Sequence, residues 1–234
     1  MKPLYHSDAV RRGLGPCLRP GGDTLTRRML ALLAPPPGAV VLDGGCGAGA
    51  TVALLRAAGL RAFGCELDPG LAEEAASAGL HVVRGDLAML PLADGCLDLA
   101  LCECALNLTE RGTAARELFR VLRPGGRLGL VDIYHRGPTG GEWPLACCFA
   151  GASDLAAVER MIAEAGFAVE LVEDHSPLLT HTAAQFVFAH GSLAGFWQAV
   201  LGDAALAEAA CAAAAARRPG LVLLIARRSS HARP

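Results

Sequence analysis

Lysine is almost absent from this chain of 234 residues: Lys2 is the sole example, and arginine supplies the other twenty of its 21 basic residues. That excludes the P-loop, protein kinases, Schiff-base enzymes and pyridoxal-phosphate enzymes, which all need a lysine inside the fold. Charge is scarce as well, at 19% of residues with a net of −2, so nothing here attracts nucleic acid or an anionic membrane. No stretch approaches the ~18 apolar residues of a membrane span. The nearest is 204–216, an alanine-rich run that carries Glu208; it reads as a soluble helix begun by Asp203 and ended by Pro219-Gly220. The metal signatures H-E-x-x-H and C-x-x-C are missing, and no metal is expected. No G-x-S-x-G elbow exists, which removes the usual hydrolase reading. The nine cysteines are odd in number and fit no disulfide framework, and the first residues lack the apolar stretch of a signal peptide. A reduced, cytoplasmic setting is therefore expected.

Apolar residues make up 53% of the chain, enough to fill the core of one ordinary α/β domain. Short strands rich in Val, Leu and Ala are predicted near 39–43, 61–65, 81–84, 98–102, 127–132, 168–173 and 221–226. Helices are predicted over 23–34, 50–58, 69–78, 110–122 and 154–165, with Asp23 as the cap of the first. This alternation predicts a doubly wound, seven-stranded, mostly parallel sheet covered on both faces. Residues 1–22 read as an N-terminal arm and 23–234 as a single domain. Between the last two strands, where a hairpin would use two to five residues, 174–220 form a helical insertion with helices near 177–189, 193–200 and 203–216. It is either extra packing on the sheet edge or a lid.

The most informative segment runs from Val40 to Gly49, V-V-L-D-G-G-C-G-A-G, where a strand enters a glycine loop and a helix follows. Gly45, Gly47 and Gly49 let the backbone turn and approach a ligand with no Cβ in the way. Glu66, 23 residues after Asp43 and at the tip of the next strand, suits the two hydroxyls of a ribose. A dinucleotide loop is G-x-G-x-x-G; here the spacing is G-x-G-x-G, with Asp43 ahead of it. That acid repels a pyrophosphate and favours a cationic amino-acid ligand.

From about residue 24 to 174 the chain resembles the class I S-adenosylmethionine-dependent methyltransferases, through an ordered series of motifs. D-G-G-C-G-A-G at 43–49 is similar to the first, G-C-E-L-D-P at 64–69 to the second, and R-G-D-L at 84–87 to the segment that holds adenine. D-G-C-L-D at 94–98 and F-R-V-L-R-P-G-G-R-L at 119–128 resemble the turns into the fourth and fifth strands. The resemblance, to the type 11 group and within it to the quinone-biosynthesis and arsenite methyltransferases, implies a Rossmann-like fold, S-adenosyl-L-methionine as cofactor and a small-molecule methyl acceptor. It places Asp43, Gly45, Gly47 and Gly49 around the methionine moiety, Glu66 at the ribose, Asp86 and Leu87 at the adenine, and Cys102 on the cofactor's floor, with Gly44, Cys46 and Leu67 as further cofactor contacts. Arg19, Thr26 and Thr51 are weaker candidates for the same site.

Acceptor chemistry is less constrained. Candidates for a catalytic role are Glu103, Tyr134 and His175, the last beside Asp174 at a strand end. Glu103 is read first as a solvated or paired carboxylate, and His175 first as a turn residue. Cys102, Cys104, Cys147, Cys148 and Cys17 are five thiols that the fold could gather at one mouth, and thiolates choose soft acceptors such as trivalent arsenic. Cys104, Tyr134, Cys147 and Cys148 are accordingly candidate substrate contacts. Buried cysteine is more often only a small apolar residue, and 69–80 holds no cysteine where arsenite methyltransferases place one. A small organic acceptor is the favoured expectation, metalloid methylation the alternative, and a non-catalytic cofactor binder the third.

Overall fold

The computed structural model describes residues 4–138 and 143–229. Seven strands form one sheet: β1 (Val40–Gly44), β2 (Arg61–Glu66), β3 (Val82–Arg84), β4 (Leu97–Glu103), β5 (Leu122–His135), β6 (Phe167–Asp174) and β7 (Pro219–Arg228). Nine helices accompany them among the described residues: α1 (Asp8–Leu14), α2 (Thr24–Leu33), α3 (Ala50–Ala57), α4 (Pro69–Ser77), α5 (Arg111–Val121), α6 (Leu155–Glu164), α7 (Ser176–His190), α8 (Leu193–Leu201) and α9 (Ala204–Arg217). None of the described helices is long and apolar enough to cross a membrane.

The sheet order is β3-β2-β1-β4-β5-β7-β6. Strands β1 to β5 pair in parallel, whereas β7 runs antiparallel between β5 and β6. The chain reverses its direction of winding between β1 and β4, so a crevice opens beyond their carboxyl ends. In this position the backbone ends of β1, β2 and β4 lie side by side: Asp43 is level with Gly64 on one flank and Leu101 on the other.

Both faces are dry, because successive strand residues point to opposite sides. Leu42, Ala100 and Cys102 enter a core with Leu118 of α5 and Ile162 of α6. Val41, Leu99 and Leu101 enter the opposite core with Met29 of α2 and Leu55 of α3. A third cluster joins Ala9 and Val10 of α1 to Trp143, to Phe186, Phe196 and Trp197 of α7 and α8, and to Ala207, Ala210 and Ala213 of α9.

Several local expectations need correction. In the N-terminal arm α1 forms and buries Ala9 and Val10. Asp23 stands at the N-cap of α2 but caps nothing: its carboxylate turns to Arg27, accepting from Nε at 2.8 Å. An ion pair one turn away has displaced the weaker bond to the backbone. Pro219 does not simply end α9; it starts β7 and lies level with His135 of β5, which lengthens both strands beyond their apolar centres. Asp203 does cap α9, accepting from Ala205 and Leu206 N–H groups at 2.8 and 3.1 Å.

Candidate active site

The loop after β1 turns through three left-handed glycines, Gly45, Gly47 and Gly49, with φ of 74°, 55° and 87°. Its backbone is pinned to β2, where Gly45 and Cys46 N–H groups donate to the Cys65 carbonyl at 2.8 and 3.1 Å. A Cβ on Gly45 would stand 2.2 Å from that of Ala105, so the loop and the residue after β4 approach as only glycine allows. Gly49 begins α3 with no side chain on its first-turn N–H groups, which leaves the positive end of that helix facing the loop.

Around this loop lies a cleft of about 430 Å³. Asp43, Gly45, Cys46, Gly47, Glu66, Leu67, Asp86, Leu87, Glu103 and Cys104 all line it, ten residues that the sequence had nominated from four separate segments. Glu66 braces the loop: Oε2 accepts from the Gly47 N–H at 2.8 Å and Oε1 from the Asp68 N–H at 2.9 Å. Asp86 holds its own turn through the Ala88 N–H at 2.9 Å, and its neighbour Leu87 packs its side chain inward. Five acids line the cleft, Asp43, Glu66, Asp68, Asp86 and Glu103, against one base, Arg19.

Arg19 comes from the arm and is itself buried. Its guanidinium donates to Thr51 at 2.9 Å, to the Cys17 carbonyl at 3.2 Å, and to Thr26, and pairs with Glu103 at 3.1 Å. Glu103 in turn accepts from Thr26 and Thr51, each at about 3 Å. The three weak candidates Arg19, Thr26 and Thr51 thus converge on Glu103, which is a paired carboxylate. Burial nevertheless raises the Glu103 pKa, outweighing the guanidinium and the hydroxyls. Asp43 is the unsatisfied member of this group. Its Oδ2 is buried with no hydrogen-bond partner, and desolvation, then the Glu103 charge, pushes its pKa up to about 8.

The remaining candidates are dispersed. Gly44 and Gly49 shape the loop without reaching the cleft; Gly44 lies under Leu87. Cys102 is fully buried in the core shared with α5 and does not line the cleft. One position along β4 decides this, because alternate residues face opposite layers. Tyr134 packs its ring against Gly220 and bonds to Asp174. His175 bonds to Glu173 at 2.8 Å and, through its N–H, to the Leu221 carbonyl at 2.7 Å, so it is a turn residue. Arg28, then His175, lowers the Glu173 pKa to about 2.

The five thiols do not all gather: Cys17 and Cys104 line the cleft, Cys104 also lies with Cys148 in the α2–α3 core, Cys147 packs in the third cluster and Cys102 in the α5 core. Burial pushes the Cys104 and Cys148 pKa values well up, so they persist as thiols. Among the described residues no three His, Cys, Asp or Glu side chains form a set able to hold a metal ion. Tyr5, which no motif pointed to, lines the cleft from the arm and turns its hydroxyl to these same thiols.

Residues 42–130 match the methyltransferase domain of the type 11 family. Over 103 residues, 43% of this chain and 40% of the relative, it is 39% identical to the malonyl-[acyl-carrier protein] O-methyltransferase of Herminiimonas arsenicoxydans. Identity to the demethylmenaquinone methyltransferase of Corynebacterium kroppenstedtii is 35% over 48% of this chain and 50% of that one. Identity to the arsenite methyltransferase of Halobacterium salinarum is 30% over 60% of this chain and 40% of that one. The chain thus spans half or less of the length of these curated relatives. In fold, it superposes with a TM-score of 0.76 and 17% identity on phosphoethanolamine N-methyltransferase 2 of Haemonchus contortus, solved with S-adenosyl-L-methionine, covering 94% of this chain and 56% of that one. Residues 42–130 thus carry the match to the type 11 methyltransferase family, and the seven-stranded sheet has the class I methyltransferase fold.

Proposed function

We propose that the protein is an S-adenosylmethionine-dependent methyltransferase acting on a small organic molecule. The observation that carries this reading is the charge of the cleft: five acids surround one base, and that base is already paired with Glu103. A pyrophosphate would meet net negative charge there, whereas a ligand with an ammonium, a sulfonium and a ribose but no phosphate meets its complement. The unpartnered Asp43 Oδ2 fits the ammonium. Glu66 at the tip of β2 fits the ribose hydroxyls, and Asp86 with Leu87 fits the adenine amine and ring face. Arg19 Nε, also buried without a partner, fits the carboxylate. When bound, the cofactor would supply an activated methyl group for an acceptor lone pair, its sulfur leaving as a neutral thioether and the acceptor's proton passing out to bulk solvent. The chain's own contribution is to align the partners and exclude water. A carboxylate such as Glu103 would hold back the sulfonium, whose charge disperses in the transition state, so its tie to Arg19 serves the reaction.

Calorimetric titration of the reduced protein with S-adenosylmethionine tests this, and absence of binding would overturn it. Repetition with trivalent arsenic separates acceptor classes: unchanged affinity is expected, whereas strengthened affinity would shift the reading to metalloid methylation. A pH series adds a check on Asp43. With a pKa of about 8, its carboxyl is protonated below that pH in the free protein and must ionise to pair with the ammonium. Affinity is expected to climb by up to tenfold per pH unit between about 6 and 8, because binding releases the proton. Above about 8 the ligand's own α-amino group begins to lose its charge, and affinity falls again. Binding heats at pH 6.5 in two buffers of different ionisation enthalpy should report release of about one proton; a value near zero removes Asp43 from the ammonium site.

A further inference from the structure

The arm acts on the cleft from outside at one further point. His6, just ahead of α1, does not line the cleft, yet its Nε2–H donates to Asp68 Oδ2 at 3.0 Å. Asp68 lines the cleft and is the N-cap of α4, its Oδ1 accepting from the Leu71 N–H at 2.9 Å. Desolvation of Asp68 is outweighed by that N–H and by His6, which hold its carboxyl below the ordinary range. The Asp68 backbone N–H in turn donates to Glu66 Oε1 at 2.9 Å. A continuous chain of hydrogen bonds thus runs from the arm through Asp68 to the acid at the tip of β2. Glycine at position 70 gives the ring its place, because a Cβ there would stand 3.0 Å from His6 Cε1.

The consequence follows from the lone pairs of Glu66. An ionised carboxylate offers about four acceptor positions. Glu66 spends one on the Gly47 N–H and one on the Asp68 N–H, which leaves about two for a ligand. Those backbone donors therefore decide where the remaining lone pairs point. Gly47 belongs to the glycine loop, whose backbone is tied to β2. Asp68 has no such support from its neighbour, since Leu67 is 61% exposed and gives the turn no buried anchor. The Asp68 carboxylate, gripped by α4 on one oxygen and by His6 on the other, fixes that turn instead. A second latch pairs Arg11 with Glu74 of α4 at 2.6 and 3.2 Å and leaves Asp68 to His6.

We propose that His6 is a positioning residue for the cofactor, which acts through Asp68 to aim the Glu66 carboxylate at the ribose hydroxyls. The inference rests on the reading of Glu66 as the ribose acid. The arm then serves both ends of the ligand, Arg19 at its carboxylate and His6 at its ribose, although of the two only Arg19 lines the cleft.

S-adenosylhomocysteine and its 2′,3′-dideoxy analogue, titrated calorimetrically into the full chain, separate aiming from mere support. The parent should bind the dideoxy ligand about a hundredfold or more weakly, the worth of the two hydroxyls on Glu66. His6→Ala should weaken S-adenosylhomocysteine by about three- to tenfold and leave the dideoxy affinity within about twofold of the parent's. His6→Gln, whose amide N–H can still donate to Asp68, should restore binding to within about twofold. Arg11→Gln, which opens only the second latch, should leave the preference for the hydroxyls unchanged. Full S-adenosylhomocysteine affinity in His6→Ala would overturn the proposal. An equal loss for both ligands would do the same, since it marks a structural anchor of the arm. His6→Gln as weak as His6→Ala, or a hydroxyl-dependent loss in Arg11→Gln, would also count against it decisively. A parent that binds both ligands equally would instead sink the ribose reading of Glu66, and the proposal with it.

Discussion

Replacement of Glu66 by alanine is expected to weaken S-adenosylmethionine binding by about a hundredfold or more. Two charge-assisted hydrogen bonds to ribose hydroxyls are lost, each worth about 1.5–3 kcal/mol, and 1.4 kcal/mol is tenfold in affinity. Part of the effect comes from the protein itself, because Glu66 also accepts from Gly47 and Asp68 N–H groups and so fixes the glycine loop before any ligand arrives. Glu66→Gln separates the two contributions. The amide oxygen can still accept one backbone bond, but the charge for the ribose is gone, so an intermediate loss of roughly tenfold is expected. Calorimetric titration of both variants checks this. Affinity of the alanine variant within threefold of the parent would remove the ribose role.

The second large effect concerns stability. Arg19→Met should lower the unfolding free energy by about 3–5 kcal/mol, because it strands the Glu103 carboxylate in the interior beside an already unsatisfied Asp43. The two side chains are 7% and 2% exposed, so solvent cannot take over the lost partner. For a chain of this size the melting temperature should fall by roughly 6–20 °C. The double change Arg19→Met with Glu103→Leu removes the pair as a unit and should recover much of that loss, since a buried ion pair is worth little more than apolar packing of similar volume. Urea denaturation of the parent, the single and the double variant measures it. A single variant as stable as the parent would mean that the pair is not what holds the arm down. In that event Tyr5, Ala9 and Val10 would have to anchor it through the third hydrophobic cluster alone.

Sequence by itself determined the β1–loop–α3 unit and the acids around it. A buried strand, glycines that must adopt positive φ, and an acid at the tip of the next strand are tied by local backbone geometry and fixed spacing, and these survive in any chain that makes this turn. The doubly wound, mostly parallel sheet followed from the alternation of strands and helices, whereas the strand order and the antiparallel seat of β7 between β5 and β6 did not. Tertiary structure decided the rest. The period of two along β4 sends Cys102 into the α5 core and Glu103 to the cleft, and Cys104 leaves that alternation because the strand has ended and its backbone turns to a φ of 57°. Thr26 and Glu103 are 77 positions apart and meet only because α2 folds back over the sheet. Tyr5, Trp143 and Trp197 lie in segments with no motif, and nothing local marks them as neighbours. They meet because the arm, the segment after β5 and the insertion each have one apolar face left over once the sheet is covered, and the third cluster is where those faces can be buried together.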